Sequence, residues 1–215
     1  MPENTYKSWL WEKLAEKCIE KLKAHDFDAH FVSTTDEARD LILDNYATYE
    51  NYGFGGSDTT RSLGILDELK DRGKTIYDHW RKGLTGEEDL YIRLHQGRCE
   101  CFFCSANAVS ATGEIVNVDG IGNRTNAMTF GPKKVVIVAG MNKVTPDLES
   151  ALRRVRDIAA PMRAKSLDME TPCAKTGVCI DCDTPQRICR VTTILHRRPM
   201  LTDVSVILVN QSLGF

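Results

Sequence analysis

Lys133-Lys-Val-Val-Ile-Val-Ala139 decides the fold. Behind its two lysines the apolar residues run without alternation and are mostly β-branched, so the stretch reads as a strand buried on both faces. Such strands belong in a largely parallel sheet covered by helices on either side. Companions follow along the chain. Gly113-Glu-Ile-Val-Asn-Val-Asp119 alternates so weakly that it too implies burial on both faces, and Val204-Ser-Val-Ile-Leu-Val209 is the last strand. Ala29-His-Phe-Val-Ser, Tyr49 to Tyr52 and Thr75-Ile-Tyr-Asp are shorter candidates.

Helical patterns lie between them. Tyr6, Trp9, Leu10, Leu14, Cys18 or Ile19, and Leu22 recur at three- and four-residue steps, giving an amphipathic helix over 6–24. Cys18 falls on its apolar side and reads as a small buried hydrophobe. Thr34-Thr-Asp-Glu37 and Thr85-Gly-Glu-Glu88 are capping boxes, one for a helix through Leu41, Ile42 and Leu43, the other for a helix through Leu90, Ile92 and Leu94. Further helices carry Leu63, Leu66 and Leu69, and Leu148, Leu152 and Val155 within 145–158. Strands alternating with helices make an α/β fold: an N-terminal helical segment over 1–28, then one α/β domain over 29–215.

The chain has 215 residues, 42% hydrophobic and 27% charged, enough to build a packed core. Its formal net charge of -2 gives no basic surplus for nucleic acid. No apolar run is long enough to span a membrane, and the opening Met1-Pro-Glu-Asn-Thr-Tyr-Lys lacks the apolar core of a secretory signal. A cytosolic location is expected, where thiols stay reduced.

Ligands in open α/β sheets collect beyond the carboxyl ends of strands. Two glycine turns and a cysteine cluster are expected there. Gly55-Gly56-Ser57-Asp-Thr59 joins a strand to a helix, where free backbone N–H groups suit an anion or serve only as a tight turn and cap. It lacks the lysine of a phosphate-binding G-K-[ST] loop. Asp119-Gly-Ile-Gly-Asn123-Arg124 is the second turn; Arg124 is its one cation and suits a carboxylate. Gly120-Ile-Gly122 lacks the third glycine of a dinucleotide fingerprint, so a self-contained dehydrogenase is not expected.

Seven of the eight cysteines fall in two clusters. Cys173, Cys179, Cys182 and Cys189 stand at C-x5-C-x2-C-x6-C, and Pro172, Gly177 and Pro185 are expected to keep that segment out of regular structure. Four thiolates on a pliable loop can wrap a single centre. The uneven spacing sits nearer to ferredoxin loops than to paired zinc knuckles, which favours a [4Fe–4S] cluster with Zn as the alternative. Cys99, Cys101 and Cys104 offer a second metal or thiol site, with core packing the weakest reading of three thiols so close. His79 and His95 have no ligand spacing and read as filler.

Gly55-Gly-Ser-Asp-Thr, Ser105-Ala-Asn-Ala, Val116-Asn-Val-Asp-Gly-Ile-Gly-Asn-Arg124, Phe130-Gly-Pro-Lys-Lys-Val-Val-Ile-Val-Ala-Gly140 and Val206-Ile-Leu-Val-Asn-Gln-Ser-Leu-Gly-Phe215 together resemble the LUD (lactate utilisation) domain family. The resemblance implies a fold of the NagB/RpiA/CoA-transferase group and a role with lactate-like 2-hydroxy acids, commonly beside iron–sulfur partner proteins. It implies that Gly55, Gly56, Ser57, Thr59, Asp119, Asn123 and Arg124 face a small-molecule site. The cysteine loop resembles that of short LUD proteins from anaerobes, whereas many relatives lack the cysteines ahead of Ser105. Two classes of function stay open. One is an iron–sulfur protein acting on a small carboxylate by electron transfer or cluster-assisted chemistry, with an electron-transfer or iron–sulfur partner subunit. The other is a zinc-stabilised, non-redox ligand-binding or assembly subunit. A homo-oligomer is open in either case.

Overall fold

The computed structural model describes residues 5–215. Residues 1–4, on which the reading of the N-terminal segment and its missing signal partly rests, lie outside it.

Six parallel strands form the main sheet: β1 (Asp28–Val32), β2 (Asn51–Phe54), β3 (Thr75–Asp78), β4 (Cys101–Cys104), β7 (Lys134–Gly140) and β10 (Asp203–Val209), in the order β1-β10-β7-β4-β2-β3. Every residue of β7 is buried, as its unbroken apolar run requires. Its pleat divides the core. Val135, Ile137 and Ala139 pack on one face with Phe102, Val206 and Leu208, against Ala15, Cys18 and Leu22 of α1 (Thr5–Ala24) and Met128 of α6 (Asn123–Thr129). Val136 and Val138 pack on the other with Phe54, Phe103 and Ile207, against Ile42 of α2 (Thr35–Tyr46) and Ile65 and Leu69 of α4 (Ile65–Asp71).

The expected elements are present, with four corrections. The strand sought at Tyr49 to Tyr52 is β2, two residues later. The helix through Leu63 and Leu69 is two: α3 (Asp58–Ser62) stops, and Gly64 in the left-handed region (φ 67) opens α4. The helix expected to start at Thr145 starts at Leu148, because Asp147 caps it by accepting from the Ser150 N–H at 2.7 Å. This α7 (Leu148–Arg154) continues through a π-helical turn (Val155–Ala159) into α8 (Ala160–Ser166), and Leu152 stays exposed while Ala151 and Val155 are buried. On α1 the apolar stripe is buried only from Ala15 onward; Tyr6, Trp9 and Leu10 face solvent.

A second sheet was not expected. It runs β8 (Val144–Thr145), β5 (Ala108–Ser110), β6 (Ile115–Asp119), β9 (Val191–Leu195), and claims the strand read from Gly113 to Asp119. Its β5–β6 and β6–β9 pairs are antiparallel. The strand is buried on both faces for its own reason: Ile115 joins the main core, while Val116 packs with Ala108, Ala151 and Val155. A 3-10 turn, Met141–Lys143, carries the chain from the carboxyl end of β7 straight into β8. The second sheet therefore grows from the ligand-collecting edge of the first.

Candidate functional site

A cavity of about 570 Å³ opens at that edge. Its wall comes from the segments that leave β2 (Ser57, Thr59), β3 (His79, Trp80), β4 (Ser105, Asn107) and β7 (Lys143), from the turn after β6, from α8, and from residues 185–189 of the cysteine loop. Strands in register deliver these loops to one place, which is why distant stretches of sequence meet.

The first glycine turn is built for close approach. Gly55 lies against Cys104 and Phe102, and its N–H donates to the Phe103 carbonyl at 2.9 Å, so it shapes the turn without lining the cavity. A Cβ on Gly56 would stand 2.8 Å from Nε1 of Trp80, so glycine lets the indole lie on the turn. Ser57 caps α3 by accepting from the Thr60 N–H at 3.2 Å. The Trp80 ring carries the guanidinium of Arg61 at 4.5 Å and that of Arg163 at 4.9 Å. Arg163 also reaches Asp58 at 3.4 Å.

The second turn supplies its own anion. Asp119 Oδ2 accepts from the N–H groups of Arg124 (3.1 Å) and Thr125 (3.2 Å), and Oδ1 from that of Gly120 (3.0 Å), so the start of α6 is already capped. The Arg124 guanidinium donates to the Val118 carbonyl at 2.6 Å and to Asn107 Oδ1 at 3.1 Å, which fixes it in the wall. Asn123 bridges Gln96 (3.1 Å) and Arg93 (3.3 Å). Arg93, Arg124, Lys143, Arg163 and Arg187 stand around the cavity with two side-chain carboxylates, Asp58 and Asp119, one of them spent on backbone N–H groups. The balance suits an anionic ligand.

Several groups escaped the sequence reading, Trp80, Arg93, Arg163 and Arg187 among them, and two of those missed have strongly shifted protonation. Lys143 is 4% exposed, and its Nζ donates to Thr59 Oγ1 at 3.0 Å and Ser105 Oγ at 2.9 Å. Burial, aided by the positive charge of Arg154 and Arg124, lowers its pKa to about 7. Its place three residues past an all-apolar strand was the signal that could have marked it. His79, read as filler, lines the cavity as a neutral ring: burial, with the charge of Arg93, lowers its pKa to about 4, and Nδ1 accepts from Gln96 Nε2 at 2.8 Å. His95 lies elsewhere, its ring tilted against that of Tyr91.

The cysteines separate by environment. Cys101 packs on one face of β4 and Cys104 on the other; Cys99, ahead of the strand, joins the same core cluster as Cys104. All three are buried, and desolvation raises every thiol, to about 12 for Cys99 and Cys104. As placed they are core side chains, the reading the sequence had ranked last, because strand alternation sends Cys101 and Cys104 to opposite faces of a covered sheet. Cys173, Cys179, Cys182 and Cys189 are half-buried and unpaired by disulfides. Pro172 does not break structure here. It occupies the first turn of α9 (Pro172–Thr176), where a missing N–H costs nothing, and Gly177 (φ 76) ends the helix. Arg187 then gathers the loop, donating to the carbonyls of Cys182 (2.8 Å) and Cys189 (2.9 Å) and pairing with Asp181 at 2.8 Å. The loop end rests on the second turn, where a Cβ on Gly120 would stand 3.2 Å from the Ile188 carbonyl oxygen. Cys189 thereby lines the cavity.

Among the described residues no three His, Cys, Asp or Glu side chains converge as a metal-binding group. The donor chemistry of the loop nevertheless fits a thiolate-bound centre. Its four thiols are not sealed in the core like Cys101, and beyond α9 no helix or strand fixes residues 177–190. No helix among the described residues is long and apolar enough to cross a membrane.

The chain is similar over 93% of its length to 98% of a crystal structure of a DUF162 family protein from Deinococcus radiodurans, with a TM-score of 0.55 and 13% identity. At that identity the likeness speaks to the fold alone. No curated protein matches the chain. The family model described as the LUD domain matches residues 15–209, and the chain belongs to that family.

Proposed function

We propose that this chain is an iron–sulfur LUD protein of lactate or related 2-hydroxy-acid metabolism, and that it takes a small carboxylate in the cavity beyond β2, β4 and β7. The observation that carries the reading is the sharing of one cavity by the cysteine loop, through Arg187 and Cys189, with Lys143 and Arg124. Cys173, Cys179, Cys182 and Cys189 would hold a [4Fe–4S] cluster, which supplies electron transfer or, if one iron is left without a cysteine, a Lewis acid.

The chain's own groups do the rest. Arg124, locked by Val118 and Asn107, presents a fixed guanidinium to the carboxylate, with Arg163 as a second cation. Lys143 exchanges a proton near neutral pH, and its environment favours the uncharged amine. Trp80 and the neutral His79 give that wall a less hydrated lining. An electron acceptor or iron–sulfur partner subunit completes the redox reading, and eight unpaired cysteines suit a reducing cytoplasm.

Zinc remains the second reading. It is favoured by the lack of regular structure across residues 177–190, which a closed four-thiolate site would staple. Metal and sulfide content separates the two, and titration of protein purified without oxygen with lactate and other short 2-hydroxy acids tests whether the ligand meets the metal. The cluster reading expects saturable changes in the visible spectrum. Binding with no spectral response leaves a carboxylate-binding protein whose metal is remote from the ligand.

A further inference from the structure

We propose that Lys143 is a covalent attachment point, whose Nζ condenses with the C2 carbonyl of a 2-oxo carboxylate to form an imine. The inference rests on the small-carboxylate reading of the cavity and names the oxidised members of that class as ligands.

Geometry carries it. Lys143 sits on the 3-10 turn directly after the central strand, so its backbone is anchored in the most buried part of the sheet. Its partners are two hydroxyls and not carboxylates: Thr59 at 3.0 Å and Ser105 at 2.9 Å. Each hydroxyl sends its own proton to a carbonyl, Thr59 to Leu213 at 3.4 Å and Ser105 to Ala106 at 3.3 Å, and therefore accepts from the amine. Two of the nitrogen's directions are occupied in this way. The remaining one carries either a proton or the lone pair, on a side chain that lines the cavity.

Electrostatics favours the lone pair. Desolvation and the cations Arg154 and Arg124 oppose a charge on Lys143, whereas a lysine meant only to bind an anion gains from keeping its charge. Neutral amines in dry pockets beside other cations are the ones that add to carbonyls. The step balances without a redox partner. The nitrogen lone pair forms the bond to C2, the carbonyl oxygen gathers the two protons given up by nitrogen, and it leaves as water. Ser105 and Thr59, both against the nitrogen, are placed to pass those protons. Arg124 in the same wall holds the carboxylate.

The test is reductive trapping on the full-length protein with its metal in place. Wild type is incubated with pyruvate, 2-oxobutyrate or lactate and treated with cyanoborohydride. Labelling is read by intact mass and peptide mapping, and binding of the same acids is measured separately by calorimetry. The expected result is one reduced adduct per chain on Lys143 with a 2-oxo acid and none with lactate, which has no carbonyl. Ser105→Ala should slow trapping severalfold while leaving the mapped site unchanged. Binding of a 2-oxo acid without an adduct, or an adduct on other lysines, overturns the imine and leaves the carboxylate site standing. Failure of every acid to bind overturns both. Because the label is mapped on wild type, the result does not depend on the folding of any variant.

Discussion

Lys143 Nζ and Ser105 Oγ lie 2.9 Å apart, joining the segments that leave the carboxyl ends of the neighbouring strands β7 and β4. Residues 38 positions apart thus meet because two parallel strands end together. The bond places an amine of lowered pKa against hydroxyl groups in the wall of a cavity ringed by arginines.

Arg124→Ala should weaken binding of a small carboxylate by roughly ten- to a hundredfold, the loss expected for a charge-assisted hydrogen bond in a partly dry site. Calorimetry with every acid the wild type binds measures it. Unchanged affinity for all of them would remove Arg124 from the site.

Lys143 makes stability depend on pH in a definite direction. Its pKa is about 7 in the folded chain and near 10.5 unfolded, so between these values the unfolded state holds the extra proton and stability rises with pH. Below the lower value both states are protonated, and the cost of burying the charge is constant. Wild type should therefore gain on Lys143→Met by an increment on the order of a few kcal/mol across the window. Urea unfolding at several pH values reads it; a pH-independent difference would mean that the buried amine stays charged.

Gly56→Ala should displace Trp80. The new Cβ would stand 2.8 Å from Nε1, so the indole must leave its place against the guanidinium groups of Arg61 and Arg163. A shifted tryptophan emission and weaker acid binding are expected, with the sheet intact by circular dichroism. An unaltered spectrum would show that the turn yields instead.

The two cysteine groups should respond in opposite ways. Cys101→Ala removes a buried thiol from the core and should cost about 1 kcal/mol of stability with no change in metal content. Cys182→Ser should leave the sheet alone and reduce the metal retained. Metal loss on Cys101→Ala would bring β4 back as a ligand source.

The main sheet was legible because β7 and β10 carry unbroken apolar runs that few other structures tolerate. The second sheet was not. Its β5 has three residues and β8 has two, too short for any periodicity, and β9 exposes Val191 and Thr192. Gly113 to Asp119 gave its burial correctly but not its partners, since apolar faces look alike whether a helix or a sheet covers them. Of the site, Gly56, Ser57, Thr59, Asp119, Asn123 and Arg124 do line the cavity, whereas Gly55 shapes the turn behind it. Asp119 caps α6 from within, a role the glycine pattern left open. Lys143 and His79 belong to no motif; only the topology brings them in.

Metal and sulfide analysis of protein purified without oxygen, read with its visible spectrum, decides what Cys173, Cys179, Cys182 and Cys189 hold. A cluster on these thiolates gives a brown protein with about four iron and four sulfide per chain, the content of one cubane, lost when Cys182 or Cys189 is replaced. A colourless protein with about one zinc and no sulfide would contradict it and leave the loop as a structural staple beside a carboxylate site.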